Sequence, residues 1–287
     1  MKNSIYFFFI LALCISEKYS YSQNTIYADS LFNTQQWEVA AKKYEAFSLS
    51  NPKDKPGFYL NRIGQCYFNL KDYEKAIEAY KKAIGINGNL TVMYNLACAY
   101  SMFSQNDSAL AWLNRSADAG LALYEETIKD EDLKGLQADP KFKIITDKIK
   151  KNLLPCAFLS EAHQFDFWIG NWNVFNLKGQ QSGKSRIEQI LGQCLIFENW
   201  TDKNGGQGKS FNVYNPSTKF WQQTWVDDKG GMTEFIEGVY KDGTMRFANS
   251  RPELVNGKKV YRRLTFFNTN TDEVRQLGEM SDRKSVV

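Results

Sequence analysis

Three stretches in the second half of this chain mix aromatic, amide and charged side chains at alternate positions, the pattern of strands that line a binding surface. Over Phe220–Asp227, residues Trp221, Gln223, Trp225 and Asp227 share one face of an extended chain. Over 194–202, Ile196, Glu198, Trp200 and Asp202 fall together, and before them Arg186, Glu188 and Ile190 do. Rings supply contact area, and a few amides and charges fix orientation, which is what a small apolar or aromatic ligand requires. Arg186, Glu188, Glu198, Trp200, Trp221, Gln223 and Trp225 are therefore the candidate ligand-binding residues. The rival expectation is a solid core in which the same tryptophans only pack.

Catalysis is harder to assemble. Glu188 and Glu198 could work as a carboxylate pair, so a carboxylate-based enzyme stands as one alternative, but no residue is assigned as catalytic. The single histidine, His163, precedes the strands and suits a cap or a solvated position better than a hydrolase base or haem ligand. The run Asn204-Gly205-Gly206-Gln207-Gly208 lacks the lysine and the helix of a phosphate-cradling loop. Cys66, Cys98, Cys156 and Cys194 have neither the close paired spacing of a zinc site nor a neighbouring histidine, so no metal and no cofactor are expected. Cys66 and Cys98 occupy equivalent helices and could approach each other; the plainer expectation is that each cysteine is a small buried apolar residue.

The elements that must position these residues change character at Leu154-Pro155. Five of the seven tryptophans lie after residue 160, and the apolar period drops from helical to alternating. Strands are expected over 167–177, 184–191, 194–201, 209–215, 220–227, 232–240, 244–248, 258–268 and 273–280. Turn residues such as Asn204-Gly205-Gly206, Asp242-Gly243 and Asn256-Gly257 separate them. Short strands joined by tight turns predict an up-and-down antiparallel barrel, with an open sandwich as the alternative.

Before that boundary the chain repeats itself. Ile63-Gly64, Tyr67, Ala76, Tyr80 and Ala83 recur 33 residues later as Leu96-Ala97, Tyr100, Ala109, Leu113 and Ser116. A weaker copy carries Tyr27, Ala28, Leu31, Trp37, Ala40, Tyr44 and Asn51-Pro52. Small residues let two antiparallel helices approach, and aromatics fill the space between them. The pattern resembles the tetratricopeptide repeat. That resemblance implies a helical stack that docks a protein or peptide, with Asn61, Gln65, Phe68, Asn69, Tyr94 and Met102 in its groove, flanked by Asp29, Phe32, Asn33 and Ser101. These positions lack the basic set that clamps a peptide carboxylate, which favours an internal segment as the partner. Residues 121–154, with Asp139-Pro140 opening a last helix, read as a helical cap and linker.

The second half also carries a resemblance. Gly170-x-Trp172 at the first strand looks like the signature of calycin barrels, the lipocalin superfamily. The longer run includes Arg186-Ile187-Glu188, Leu191-Gly192-Gln193-Cys194, Glu198-Asn199-Trp200, Tyr214-Asn215-Pro216, Lys219-x-Trp221-x-Gln223-x-Trp225 and Val274-Arg275-Gln276. It is similar to an uncharacterised family of bacterial lipocalin-like domains. The resemblance implies a multidomain α and β chain: tetratricopeptide repeats over 23–120, then a lipocalin-like antiparallel β-barrel over 155–287. Since that family continues past Gln276 through another tryptophan-bearing strand, the barrel is expected to lack its last strand and to expose an edge.

Residues 1–22 join a basic start, an apolar run from Ile5 to Ile15 and small residues at Ser20 and Ser22, the logic of a secretory signal peptide. Cys14 admits a lipoprotein variant, but Leu13 fits it poorly. No later segment reaches the ~20 apolar residues of a membrane span, so the mature chain is expected in the periplasm or outside the cell without a transmembrane segment. The net charge of +4 over 287 residues, with acids and bases interspersed, gives no footprint for nucleic acid. The expected function is a periplasmic or secreted binding protein whose repeats dock a protein and whose barrel holds a small apolar or aromatic ligand. A structural assembly adaptor with a filled barrel is the second alternative.

Overall fold

The computed structural model describes residues 25–50, 55–249 and 251–282. The segment read as an export signal, the Asn51-Pro52 step and the chain end at 285–287 lie outside the described residues. The chain divides into two units, 1–153 and 154–287.

Helices of the first unit come in pairs. They are α1 (25–33) with α2 (Trp37–Ser50), α3 (Pro56–Asn69) with α4 (Tyr73–Ile86), and α5 (Leu90–Met102) with α6 (Asn106–Asp118). Each pair is joined by the same tight turn. Gln35, Lys71 and Ser104 take positive φ of 60°, 61° and 59°. The following amides of Gln36, Asp72 and Gln105 donate back to the carbonyls of Leu31, Tyr67 and Tyr100, each at 2.9 Å. These bonds satisfy the carbonyls that a helix end otherwise leaves open. The weak first copy is thus a full structural repeat. Downstream, α7 (Tyr124–Lys129), a 3-10 helix (Glu131–Leu136) and α8 (Pro140–Leu153) complete the unit. Leu133, Leu136, Phe142, Ile145 and Ile149 join the core built by α4, α5 and α6.

Gly64 shows why the repeat keeps small residues. A Cβ there would lie 2.5 Å from the Tyr80 ring, and both residues are buried. Gly64→Ala is expected to cost ~1–3 kcal/mol through overpacking. A urea denaturation curve checks it, and an unchanged midpoint would contradict this packing.

The second unit opens with short 3-10 turns at Pro155–Phe158, Ser160–His163 and Asp166–Trp168. Then follow β1 (Gly170–Phe175), β2 (Gln181–Ile190), β3 (Leu195–Asp202), β4 (Gln207–Asn215), β5 (Phe220–Asp227), β6 (Met232–Lys241), β7 (Thr244–Ala248), β8 (Glu253–Val255), β9 (Lys258–Asn270) and β10 (Glu273–Ser281). All pairings are antiparallel, in the order β1 to β7, then β9 and β10, with β8 beside β9. The result is a curled sheet, a half-barrel rather than a closed barrel. Among the described residues β1 pairs only with β2 and β10 only with β9. Two expectations are corrected here: the first strand begins at Gly170 because 166–168 turn instead of extending, and the short β8 was not foreseen. The closed barrel gives way to a half-barrel among the described residues, with the unpaired edges expected of a barrel that lacks its last strand.

The lead-in turns explain how an open sheet still buries a core. Phe165 is fully buried, and its ring meets those of Trp168, Trp221, Phe247 and Phe266 at centroid distances of 5.0, 5.8, 5.7 and 4.9 Å. Gly170, at φ 147°, lets the chain swing from these turns into β1, and Trp172 Nε1 donates to the Trp168 carbonyl at 2.8 Å. A disulfide joins Cys156 to Cys194, tying the lead-in to the β2–β3 turn. Cys66 and Cys98 are free and buried, so the pairing considered for them does not form. Burial pushes the Cys66 thiol up to about 12. Among the described residues no helix is long and apolar enough to cross a membrane.

Candidate functional site

Two surfaces carry the residues singled out from the sequence, one on each unit. On the helical unit, α1, α3 and the 3-10 helix 131–136 are linked through α5 by a short ladder of side-chain contacts. The Arg62 guanidinium lies 4.3 Å from the centroid of the Phe32 ring and 5.3 Å from that of Phe58. Arg62 Nη1 donates to Gln65 Oε1 at 3.2 Å. One helix further, Asn95 Nδ2 donates to Asn61 Oδ1 at 3.2 Å. Beyond that, the Tyr94 hydroxyl donates to Asp130 Oδ2 at 2.5 Å. Asn61 and Tyr94 are therefore engaged with neighbouring elements, and Gln65 with Arg62 of its own helix.

The other groove candidates differ among themselves. Asn69 Nδ2 donates to the Gln65 carbonyl at 2.8 Å, a contact within its own helix. Phe68 is half-buried with its ring against Tyr73, centroids 5.5 Å apart. Met102 is exposed, as is Phe58. Arg62 was not singled out from the sequence; its signal was a lone cation three residues before Gln65. It places one positive charge on this face, within reach of the Phe32 and Phe58 rings.

Cys98 Sγ and carboxylate oxygens of Asp130 and Asp132 come within 4.8 Å of one another. Burial first, and the Asp130 charge second, hold the Asp132 carboxyl above its usual range. Asp130 is already committed as a cap: Oδ1 accepts from the Asp132 amide at 2.9 Å, and Oδ2 accepts from Tyr94. Asp130 thus caps the 3-10 helix through one oxygen, and its other oxygen also accepts from Cys98 Sγ at 3.8 Å.

On the sheet, strand register sorts the remaining candidates into cross-strand rows. One row of the inner face runs Ser185, Trp200, Gly208, and the next Ile187, Glu198, Ser210, Trp225. A third runs Ile196, Asn212, Gln223, Phe235, and a fourth Tyr214, Trp221, Gly238, Phe247. The inner face thus grades from indoles at one end, through a polar belt, to the aromatic cluster around Phe165. Trp221, Gln223 and Glu198 are buried, and Trp200 and Trp225 half-buried.

Arg186 and Glu188 lie on the opposite face. Arg186 Nη2 pairs with Glu188 Oε2 at 3.2 Å, and Asn199 Nδ2 donates to the same oxygen at 3.2 Å. Glu188 and Glu198 therefore face away from each other and cannot act as a carboxylate pair on one substrate. Asp202 and Asp227 are turn anchors. Each accepts backbone N–H bonds within its own hairpin, from Asn204 and Gly206 and from Lys229 and Gly231. The Gly231 and Lys229 amides hold the Asp227 carboxyl below its usual range.

Glu198 is the centre of the belt. Ser185 Oγ donates to Oε1 at 2.6 Å and Ser210 Oγ to Oε2 at 2.9 Å. Asn212 Nδ2 donates to Ser210 Oγ at 2.9 Å, and Gln223 Nε2 to Asn212 Oδ1 at 2.7 Å. Ser185, Ser210 and Asn212 were missed from the sequence because serines and asparagines in strands carry no signal until the register is known. Burial pushes the Glu198 carboxyl above its usual range, against the pull of the two hydroxyls.

A carboxyl with a raised folded pKa binds its proton more tightly in the folded chain. Its contribution to stability therefore falls as pH rises from its unfolded value through its folded one. Glu198→Gln should remove that part of the pH dependence and leave the sheet unit at least as stable as wild type at neutral pH. Melting curves of both proteins from about pH 4 to 7 check this; parallel profiles would contradict it.

His163 is half-buried and shares a 2.7 Å hydrogen bond between Nδ1 and Asp166 Oδ2, which raises its pKa. Gln189 Nε2 donates to Asp166 Oδ1 at 3.3 Å. Asp166 thus joins the histidine to β2, and no side chain of a serine or cysteine is bonded to His163 among the described residues.

The model of the tetratricopeptide repeat family matches residues 58–90, the span of α3 and α4 up to the start of α5. A solved structure titled as PcrH in complex with the chaperone binding region of PopB aligns over 47% of this chain and 94% of its own. The identity is 14% and the TM-score 0.34. No curated protein matches the chain. The helical unit fits the tetratricopeptide repeat, an architecture that points to protein–protein interaction.

Proposed function

We propose that this chain is an exported binding protein whose repeats dock an internal peptide segment of a protein partner, and whose half-barrel holds a small ligand on its inner face. The observation that carries the first part is the repeated helix pair, identical in its turns three times over and matched by the repeat family in its middle copy. The surface formed by α1, α3 and α5 offers apolar anchors at Phe58 and Met102, amides at Asn61 and Gln65 and a single cation at Arg62. That composition suits a segment with apolar anchors and few charges. The Cys156–Cys194 disulfide supports a periplasmic or secreted setting, since such bonds persist in oxidising compartments. The calycin resemblance is supported by Gly170 and Trp172 at the entry to β1, and the ligand by the graded inner face.

The test is a peptide selection from a random library against the full chain, followed by affinities on the variant Phe58→Glu, Met102→Glu. Both side chains are exposed, at 41% and 39%, so the variant keeps its core. Selected peptides should bind it about ten-fold more weakly or worse. Affinities unaffected by the double change would place binding elsewhere and refute this surface.

A further inference from the structure

The inner-face carboxylate carries an inference about what the half-barrel holds. It rests on the reading above, that this face receives a small ligand. Glu198 is 8% exposed. Among the described residues only two neutral hydroxyls, those of Ser185 and Ser210, hold it, and no lysine, arginine or histidine pairs with it. Buried carboxylates are ordinarily paired with a cation, because neutral donors alone compensate incompletely for lost water. The belt is nevertheless arranged for the ionised form. Gln223 donates to Asn212, Asn212 to Ser210 and also to the Ile196 carbonyl, and both serine hydroxyls to Glu198, so the line of side-chain bonds ends on the carboxylate as acceptor. Such alignment strengthens the negative end of the network.

Toward one end of the inner face the neighbours of Glu198 are aromatic. Trp200 lies two residues along the same strand and faces Ser185, while Trp225 faces Ser210. Both indoles are half-buried, and glycines let them lie close to the sheet. A Cβ at Gly183 would come within 2.7 Å of the Trp200 ring, and one at Gly208 within 2.2 Å of the Trp225 ring. Indole faces attract cations, and tryptophan does so best among the aromatic residues.

We propose that Glu198, Trp200 and Trp225 form a recognition site for an organic cation, a small amine or ammonium group attached to an apolar or aromatic body. The ammonium supplies the charge that the buried carboxylate lacks, the indoles flank it, and the apolar body lies along the rest of the inner face.

The experiment uses the full chain and two probes of nearly equal shape, 2-phenylethylamine and 2-phenylethanol, titrated at neutral pH with tryptophan fluorescence as the readout. The protonated amine should bind about ten-fold more tightly than the alcohol or better, as expected for a charge-assisted bond. In Glu198→Gln the amine should fall to the level of the alcohol. Equal binding of the two probes by wild type would overturn the cation site and leave the small-ligand reading standing. An amine preference that survives Glu198→Gln would also overturn it, by placing the cation elsewhere. Binding of neither probe would remove both the inference and the reading beneath it. The wild-type comparison decides the first and third outcomes even if the variant does not fold.

Discussion

Phe165→Ala should destabilise the sheet unit by about 3–5 kcal/mol, the range for emptying a fully buried phenylalanine site. The ring is inaccessible to solvent and touches aromatic side chains from its own lead-in and from β5, β7 and β9. Those neighbours belong to a paired sheet and cannot collapse into the space without breaking register, so the cavity should persist. Because the lead-in has no ladder of its own, losing this anchor should also free the segment that carries Trp168 and the Gln164 side chain, which accepts from Trp221 Nε1 at 3.2 Å. A denaturation curve of the full chain, followed by tryptophan fluorescence, measures it. A loss below about 1 kcal/mol would mean that the ring lies outside a packed core.

Removing the disulfide should rank next. Cys156 and Cys194 are separated by 38 residues, and closing a loop of that length restricts the unfolded chain by about 4 kcal/mol in the entropic account, with 2–4 usual in practice. The bond also tethers the lead-in to the β2–β3 turn. Cys156→Ser with Cys194→Ser, or reduction of the wild type, should therefore lower the transition of the sheet unit. The helical unit should be unaffected, because its cysteines are free. Equal melting of oxidised and reduced protein would show that the bond contributes nothing to the fold.

The helical repeats were legible in the sequence because their packing is local. Gly64 and Tyr80 meet across one tight turn, so size alternation at fixed spacing records the contact directly. Strands were legible through alternation and turn residues, and β5 and β7 coincide with their expected bounds. The site was legible only in part. Alternation placed Glu198 with Trp200, and Trp221 with Gln223 and Trp225. It could not tell that Arg186 and Glu188 point the other way, since that depends on how β2 pairs with β3. The same missing register hid Ser185, Ser210 and Asn212, which become a network only when three strands align. The lead-in was opaque because Phe165 packs against strands up to β9, a hundred residues away in sequence. The cysteine pairing follows from that same long-range arrangement.

The central claim, that the repeats dock a peptide on the surface formed by α1, α3 and α5, is most directly tested by amide hydrogen exchange. The full chain would be compared with and without a peptide selected against it. The account predicts slowed exchange confined to these three helices, centred on Asn61–Gln65 and Tyr94–Met102, with α2, α4 and α6 unchanged. Protection on α2, α4 and α6, or on the sheet unit with the first helices unaffected, would contradict it.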